Sequence, residues 1–290
     1  MAATIDQSFI SQFSDNIHLL LEQQGSKLRK VFPVEMAKGE KHFFERLGNF
    51  TASEVVGRLA ETNLQDPAHS RRMATVKRYE ASTYLDDLDK FKLLIDPTSD
   101  YAKKLANAHG KQYDRVVIDA ILGTASTGKD GSGSQAFDTS NNQIAHGSAG
   151  LTVAKFNQAL RILEAAEVDV DVEKLYLLVG ARGVEDLLGD TSNQFTSFDF
   201  QATKVLADGK LPQFRGVNIV RTQRIPDETS GTTFRALLCT EDVVKIAMAH
   251  DMMVKVGERV DLNFAHQIST YMMYGAVRME EARVVDILYQ

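Results

Sequence analysis

Arg71-Arg72-Met73-Ala74-Thr75-Val76-Lys77-Arg78-Tyr79-Glu80 is extended in character but carries charge on both of its alternations. A half-buried strand places apolar residues at every second position, so this one has no clean face to turn toward a core. His42 to Leu47, upstream, has the same character. The residues between the two are polar and include Asp66-Pro67, a turn signal. Two long strands without a buried face predict a ribbon that projects from the body. Such a ribbon is stable only where another surface covers it, which points to assembly.

On the N-terminal side, residues 6–23 read as an amphipathic helix. Phe9, Ile10, Phe13, Ile17, Leu20 and Leu21 recur at spacings of three and four, and Gly25 stops the pattern. An isolated helix of this length is marginal, so it must dock on its own body or on a neighbour. On the C-terminal side, Pro97 excludes helix before it, Ser99 is an N-cap and Gly123 a stop. The spacing predicts one helix over 99–122, about 35 Å long. Gly110 inside it costs about 1 kcal/mol relative to alanine, so its surroundings must compensate or the helix must bend.

Residues 123–150 are rich in Gly, Ser, Thr and Asn and predict a long loop. Beyond it the pattern gives a helix at Val153 to Glu167, a buried strand at Leu175 to Val179 and a helix from Gly183 to Leu188. Strands follow at Val217 to Arg221 and Phe234 to Cys239, then a short helix from Glu241 to His250. Two strands, Gln267 to Arg278 and Arg283 to Tyr289, close the chain. The fold class is α+β, without internal repeats.

With 290 residues, a packed core is expected. Cys239 is the only cysteine, which excludes an intrachain disulfide and fits a reducing cytoplasm. No signal segment and no apolar run long enough for a bilayer are visible, so no membrane partner is expected. Lys and Arg total 33 against 39 Asp and Glu, a formal charge of −6. Tight nucleic-acid binding needs a net basic face and is disfavoured; a container wall that does not stick to its cargo can be mildly acidic.

The nearest approach to a catalytic motif is Gly123-Thr124-Ala125-Ser126-Thr127-Gly128-Lys129-Asp130. It follows the phosphate-loop spacing up to its last place, where Asp130 replaces the Mg²⁺-ligating hydroxyl. A helix precedes it and no apolar helix follows, so no helix dipole would hold a phosphate. Gly131-Ser132-Gly133-Ser134-Gln135-Ala136 mimics a dinucleotide fingerprint without its βαβ context. His146-Gly147-Ser148-Ala149-Gly150 does not meet the nucleophile-elbow spacing. No two of the seven histidines have zinc spacing. The Asp86, Asp87, Asp89 and Asp169, Asp171 groups read as solvated charge. Neither catalytic residues, nor a metal, nor a cofactor is expected.

The order of these parts resembles the major capsid proteins of tailed bacteriophages, whose shared fold is the Hong Kong 97 type. The sequence likeness runs from about Phe9 to Leu288. It is carried by Gln23-Gln24-Gly25-Ser26-Lys27-Leu28, Arg71-Arg72-Met73-Ala74 and Leu85-Asp86-Asp87-Leu88-Asp89-Lys90. Further strings are Leu94-Ile95-Asp96-Pro97-Thr98-Ser99, Leu122-Gly123-Thr124-Ala125, Leu187-Leu188-Gly189-Asp190 and Gly275-Ala276-Val277-Arg278-Met279-Glu280-Glu281.

The resemblance implies a structural protein, not an enzyme, that assembles with itself into hexamers and pentamers of an icosahedral head. That head would enclose double-stranded DNA as non-specific cargo in the virion, after assembly in the host cytoplasm. It divides the chain into an N-terminal arm (1–35), an extended ribbon (36–90), a spine helix with a peripheral domain (91–144), an axial domain (145–250) and returning C-terminal strands (251–290). The arm is short, so a separate scaffolding protein is expected, along with a portal protein. Arg71 and Arg72 on the ribbon are expected to meet Glu280 and Glu281 across subunits. The alternatives are a cellular nanocompartment shell of the same fold, or a nucleotide-binding enzyme using Gly123 to Lys129.

Overall fold

The computed structural model describes residues 25–54, 57, 64–85, 98–189, 213–229, 231–262 and 264–290. The amphipathic stretch at 6–23 and the acidic group Asp86, Asp87 and Asp89 lie outside them. The first elements are β1 (Val34–Met36), β2 (Lys41–Leu47), β3 (His69–Thr75), β4 (Lys77–Leu85) and helix α1 (Thr98–Leu122). Next come β5 (Ala125–Thr127), β6 (Gly133–Gln135), β7 (Gln143–Ile144), α2 (Val153–Ala165), β8 (Leu175–Val179) and α3 (Ala181–Gly189). The chain finishes with β9 (Gln213–Phe214), β10 (Val217–Arg221), β11 (Phe234–Thr240), β12 (Val244–Arg259), β13 (Ala265–Arg278) and β14 (Val284–Tyr289).

Three sheets result. The largest has the order β7-β14-β11-β8-β10-β9, the second β1-β12-β13-β4, and the third β2-β3-β5-β6. Leu175 to Val179 is an unbroken apolar run because β8 is covered on both faces. Leu177 and Val179 pack with Phe156, Leu163 and Ile287 in one cluster, under α2. Leu178 faces a second cluster with Leu237 and Cys239, which also takes in Tyr113, Val117 and Ile121 of α1 and Ile246, Met272 and Tyr274 of the second sheet. This second core joins the two larger sheets around the spine helix. Each fully buried aliphatic there contributes about 1.5–3 kcal/mol.

Gly110 has a physical reason. The incoming chain at Gly25 crosses α1 so closely that a Cβ on residue 110 would lie 2.4 Å from the Gly25 carbonyl carbon. The crossing is fixed by Asp114, buried in α1, which accepts from the Ser26 hydroxyl (2.5 Å) and from the Lys27 and Leu28 amides (both 3.1 Å). Gly110→Ala would stabilise an isolated helix. Here it is expected to lower subunit stability by about 1–3 kcal/mol, as overpacking does, read as a fall in the urea midpoint. An unchanged or raised midpoint would refute this account of the crossing.

Two expectations change. Glu241 to His250 forms a three-residue 3₁₀ turn (Glu241–Val243) followed by strand. Val244, Ile246 and Ala247 are all buried between β13 and β1, so apolar residues fall on both faces of the strand and the clean alternation that would mark it is lost. Residues 123–150 are not one loop, since β5, β6 and β7 lie within them, and Ala125 and Ile144 are buried.

The largest sheet holds a buried carboxylate, Asp286 of β14. It accepts from Gln143 Nε2 (2.7 Å) and lies 3.6 Å from Arg235, whose other partner is Glu228. Its Oδ1 has no hydrogen-bond partner. Burial, opposed by Gln143 and Arg235, raises its pKa above the usual carboxylate value. The folded state therefore holds the proton more tightly than the unfolded chain. Its stabilising contribution is present at acid pH and is lost as pH rises through the folded pKa. Asp286→Asn is expected to stabilise the subunit at pH 7 by about 1 kcal/mol. That gain should shrink toward pH 4 in denaturant titrations; a variant that is less stable at pH 7 would contradict the assignment.

Candidate assembly site at the root of the ribbon

β2 and β3 pair antiparallel from Lys41↔Thr75 to Leu47↔His69, and Gly48 N donates to Ala68 O (2.9 Å) beyond them. The ribbon is therefore a hairpin. Its second strand leaves at Val76, whose amide bonds Glu40 O (2.7 Å), and continues as β4 in a different sheet, paired with β13. Residues 77–85 thus belong to the body. The root also has a core of its own in the same chain, with Phe44 and Ala74 packed against Ala125, Ala247, Val277 and Met279. Only beyond the root does cover run out: Leu47, Phe50 and Leu64 are 56%, 61% and 89% exposed.

The root is locked by the β13–β14 turn, Arg278-Met279-Glu280-Glu281-Ala282-Arg283. Arg278 is fully buried, and its NH1 donates to Ile121 O and Gly123 O (both 2.6 Å), the carbonyls at the end of α1. A cation there also meets the negative end of the helix dipole. Its NH2 reaches Gln135 O of β6 (3.1 Å) and its Nε approaches Glu281 (3.4 Å). Arg72 comes from the other side. Its NH2 bonds both Glu281 oxygens (2.9 and 3.0 Å) and its Nε bonds Met279 O (3.1 Å). Burial pulls both guanidinium pKa values below their ordinary range, against the raising effect of Glu281. One carboxylate therefore neutralises two buried cations.

The neighbouring carboxylate extends the network outward. Glu280 accepts from Arg283 (2.6 Å) and Arg46 (3.4 Å), and Arg283 also holds Glu173 (2.6 Å), in the segment between α2 and β8. All three sheets are thus tied to one turn. Of the four residues expected to pair across subunits, Arg72 and Glu281 close on each other within one chain. The reason is the register, which sets β3 beside β5 and under the β13–β14 turn. Arg71 points elsewhere and bonds Glu45 (2.6 Å), with side chains 45% and 69% exposed, a pair worth about 0–1 kcal/mol. Arg278, Arg46 and Arg283 were not singled out from sequence. The overlapping spacings Arg278-x-x-Glu281 and Glu280-x-x-Arg283 were the available signal.

The near-phosphate loop is built into the same region without forming a phosphate cradle. Its first residues end α1 and form β5, Gly128 N donates to Arg71 O (3.3 Å), and β6 follows where a phosphate site needs a helix. Around His146, Lys155 Nζ holds the His146 and Ala149 carbonyls (2.7 and 2.8 Å), a structural role. Among the described residues no group of three or more His, Cys, Asp or Glu could hold a metal ion, and no helix is long and apolar enough to cross a membrane.

A hairpin projecting beyond its own core, a long spine helix and two sheets meeting on it define a capsid-type α+β subunit. Solved structures agree. The cyanophage Pam1 capsid asymmetric unit superposes with a TM-score of 0.73 at 15% identity, over 100% of this chain and 98% of that chain. The capsid of Ralstonia phage GP4 gives 0.73 at 12% identity, over 100% and 97%. The capsid structure of cyanophage P-SCSP1u gives 0.72 at 13%, over 98% and 94%. No curated protein matches the sequence. Residues 5–290 match the family described as phage capsid protein, and the chain belongs to that family. It is a structural coat protein, not an enzyme.

Proposed function

We infer that copies of this coat protein join head to tail into hexamers and pentamers of an icosahedral head that encloses double-stranded DNA. The observation that carries this reading is the ribbon, which has its own core at the root and leaves Leu47, Phe50 and Leu64 uncovered beyond it. Apolar side chains in that position need a surface from another subunit, and identical subunits with unlike contact patches close into rings. In this reading residues 1–35 are the arm, 36–90 the extended ribbon with β4 as its anchored end, and 91–144 the spine and peripheral domain. Residues 145–250 are the axial domain at ring centres, and 251–290 return to the periphery. Arg71 and Glu280, with heads at the surface, are the contact candidates across subunits. Arg72 and Glu281 set the angle at which the ribbon leaves.

A scaffolding protein and a portal protein complete assembly in the host cytoplasm, and the wall meets DNA only non-specifically, as its net charge of −6 suits. The cargo tests the reading. Particles purified from a lysate and treated with nuclease should retain double-stranded DNA. Particles that hold host enzymes and no protected DNA would mark a nanocompartment instead.

A further inference from the structure

An open cleft of about 690 Å³ lies between the ribbon root and the β5–β6 turn, with Arg46, Arg71 and Lys129 among its lining residues. These cations are loosely engaged. Among the described residues, Lys129 has no ion-pair partner and Arg71 has only the exposed Glu45. Arg46 reaches Glu280 at 3.4 Å, while its buried Nε has no acceptor. The same chain carries the opposite patch. Glu164-Ala165-Ala166-Glu167-Val168-Asp169-Val170-Asp171-Val172-Glu173 has five carboxylates and no cation. Glu164, Glu167, Asp169 and Asp171 are exposed and make no ion pair among the described residues, and Val172 beside them is 80% exposed.

We propose that the cleft at the ribbon root receives the acidic 164–173 segment of a second copy of this chain. Within one chain, none of these carboxylates pairs with a cleft cation. Unlike patches on identical chains are what a head-to-tail ring requires. A nucleic-acid occupant is less well matched, because Glu45 sits in the cleft wall and Glu280 and Glu281 flank it, and phosphate binding draws on a net basic face. This inference rests on the coat-protein reading and names a contact within it.

A fluorescent peptide of residues 164–173, titrated into the unassembled full-length chain, should bind saturably and more weakly as salt rises. Lys129→Glu, at an exposed position, should weaken it at least tenfold, and a peptide with amides in place of its carboxylates should not bind. No saturable binding up to millimolar peptide, or binding indifferent to Lys129→Glu, overturns the proposal. So does tighter, Lys129-dependent binding of a duplex oligonucleotide, which would assign the cleft to nucleic acid. In assembly, Asp171→Lys and Lys129→Glu should each cut shell yield at least tenfold, and the chain carrying both should recover it. Full yield from both single variants overturns the contact while leaving the coat-protein reading intact. Failure of the unaltered chain to form shells counts against that reading, and the peptide titration, which needs no shell, still decides the contact.

Discussion

Glu281→Ala is expected to lower the unfolding free energy of the subunit by about 3–5 kcal/mol, the cost of removing one partner from a buried ion pair. The side chain of Arg278 is 0% exposed and that of Arg72 is 6% exposed, so neither can turn to water when their shared carboxylate is lost. Arg278 keeps its carbonyl acceptors at the end of α1 and on β6, but their partial charges do not replace a full negative charge. Arg72→Lys should be nearly as damaging as Arg72→Ala. A lysine has a single ammonium and cannot reach the Glu281 carboxylate, as NH2 does, and Met279 O, as Nε does, from two separate nitrogens. Urea titration of the unassembled subunit measures both effects, and losses below about 1 kcal/mol would show that the turn does not lock the root.

Shortening the ribbon should have the opposite signature, with assembly lost and the subunit intact. Among the described residues the Gly48–Ala68 bond is the outermost backbone rung of the hairpin, so residues 49–67 can be replaced there by Asn-Gly, a two-residue turn suited to antiparallel strands. The root core of Phe44 and Ala74 is untouched by this change. The urea midpoint should therefore stay near that of the full chain, while the yield of closed particles in sedimentation falls more than tenfold. Unimpaired assembly would show that the projecting part of the ribbon carries no contact.

Much of this architecture was legible. Pro97 and Gly123 bracket α1, which begins at Thr98, one residue before the expected cap, and ends at Leu122. The strands at Leu175 to Val179 and Val217 to Arg221 have the expected bounds, because short β-branched and leucine runs between turn signals have few other solutions. The ribbon root was harder. Arg72 made β3 look uncovered on both faces, yet it is among the most buried residues of that strand, its charge matched by a glutamate about two hundred positions away. No local pattern can report a partner at that separation. For the same reason, the pairing of Arg72 with Glu281 inside one chain could not be told from a pairing between chains. Gly110 showed in sequence only as a defect; its cause, the crossing at Gly25, is a tertiary contact.

Negative-stain electron microscopy of the purified chain, alone and with a candidate scaffolding protein, decides whether this chain builds a shell. Closed particles, or curled sheets and tubes with hexagonal order, are the predicted result. A uniform population of small monomers or dimers under both conditions would contradict it.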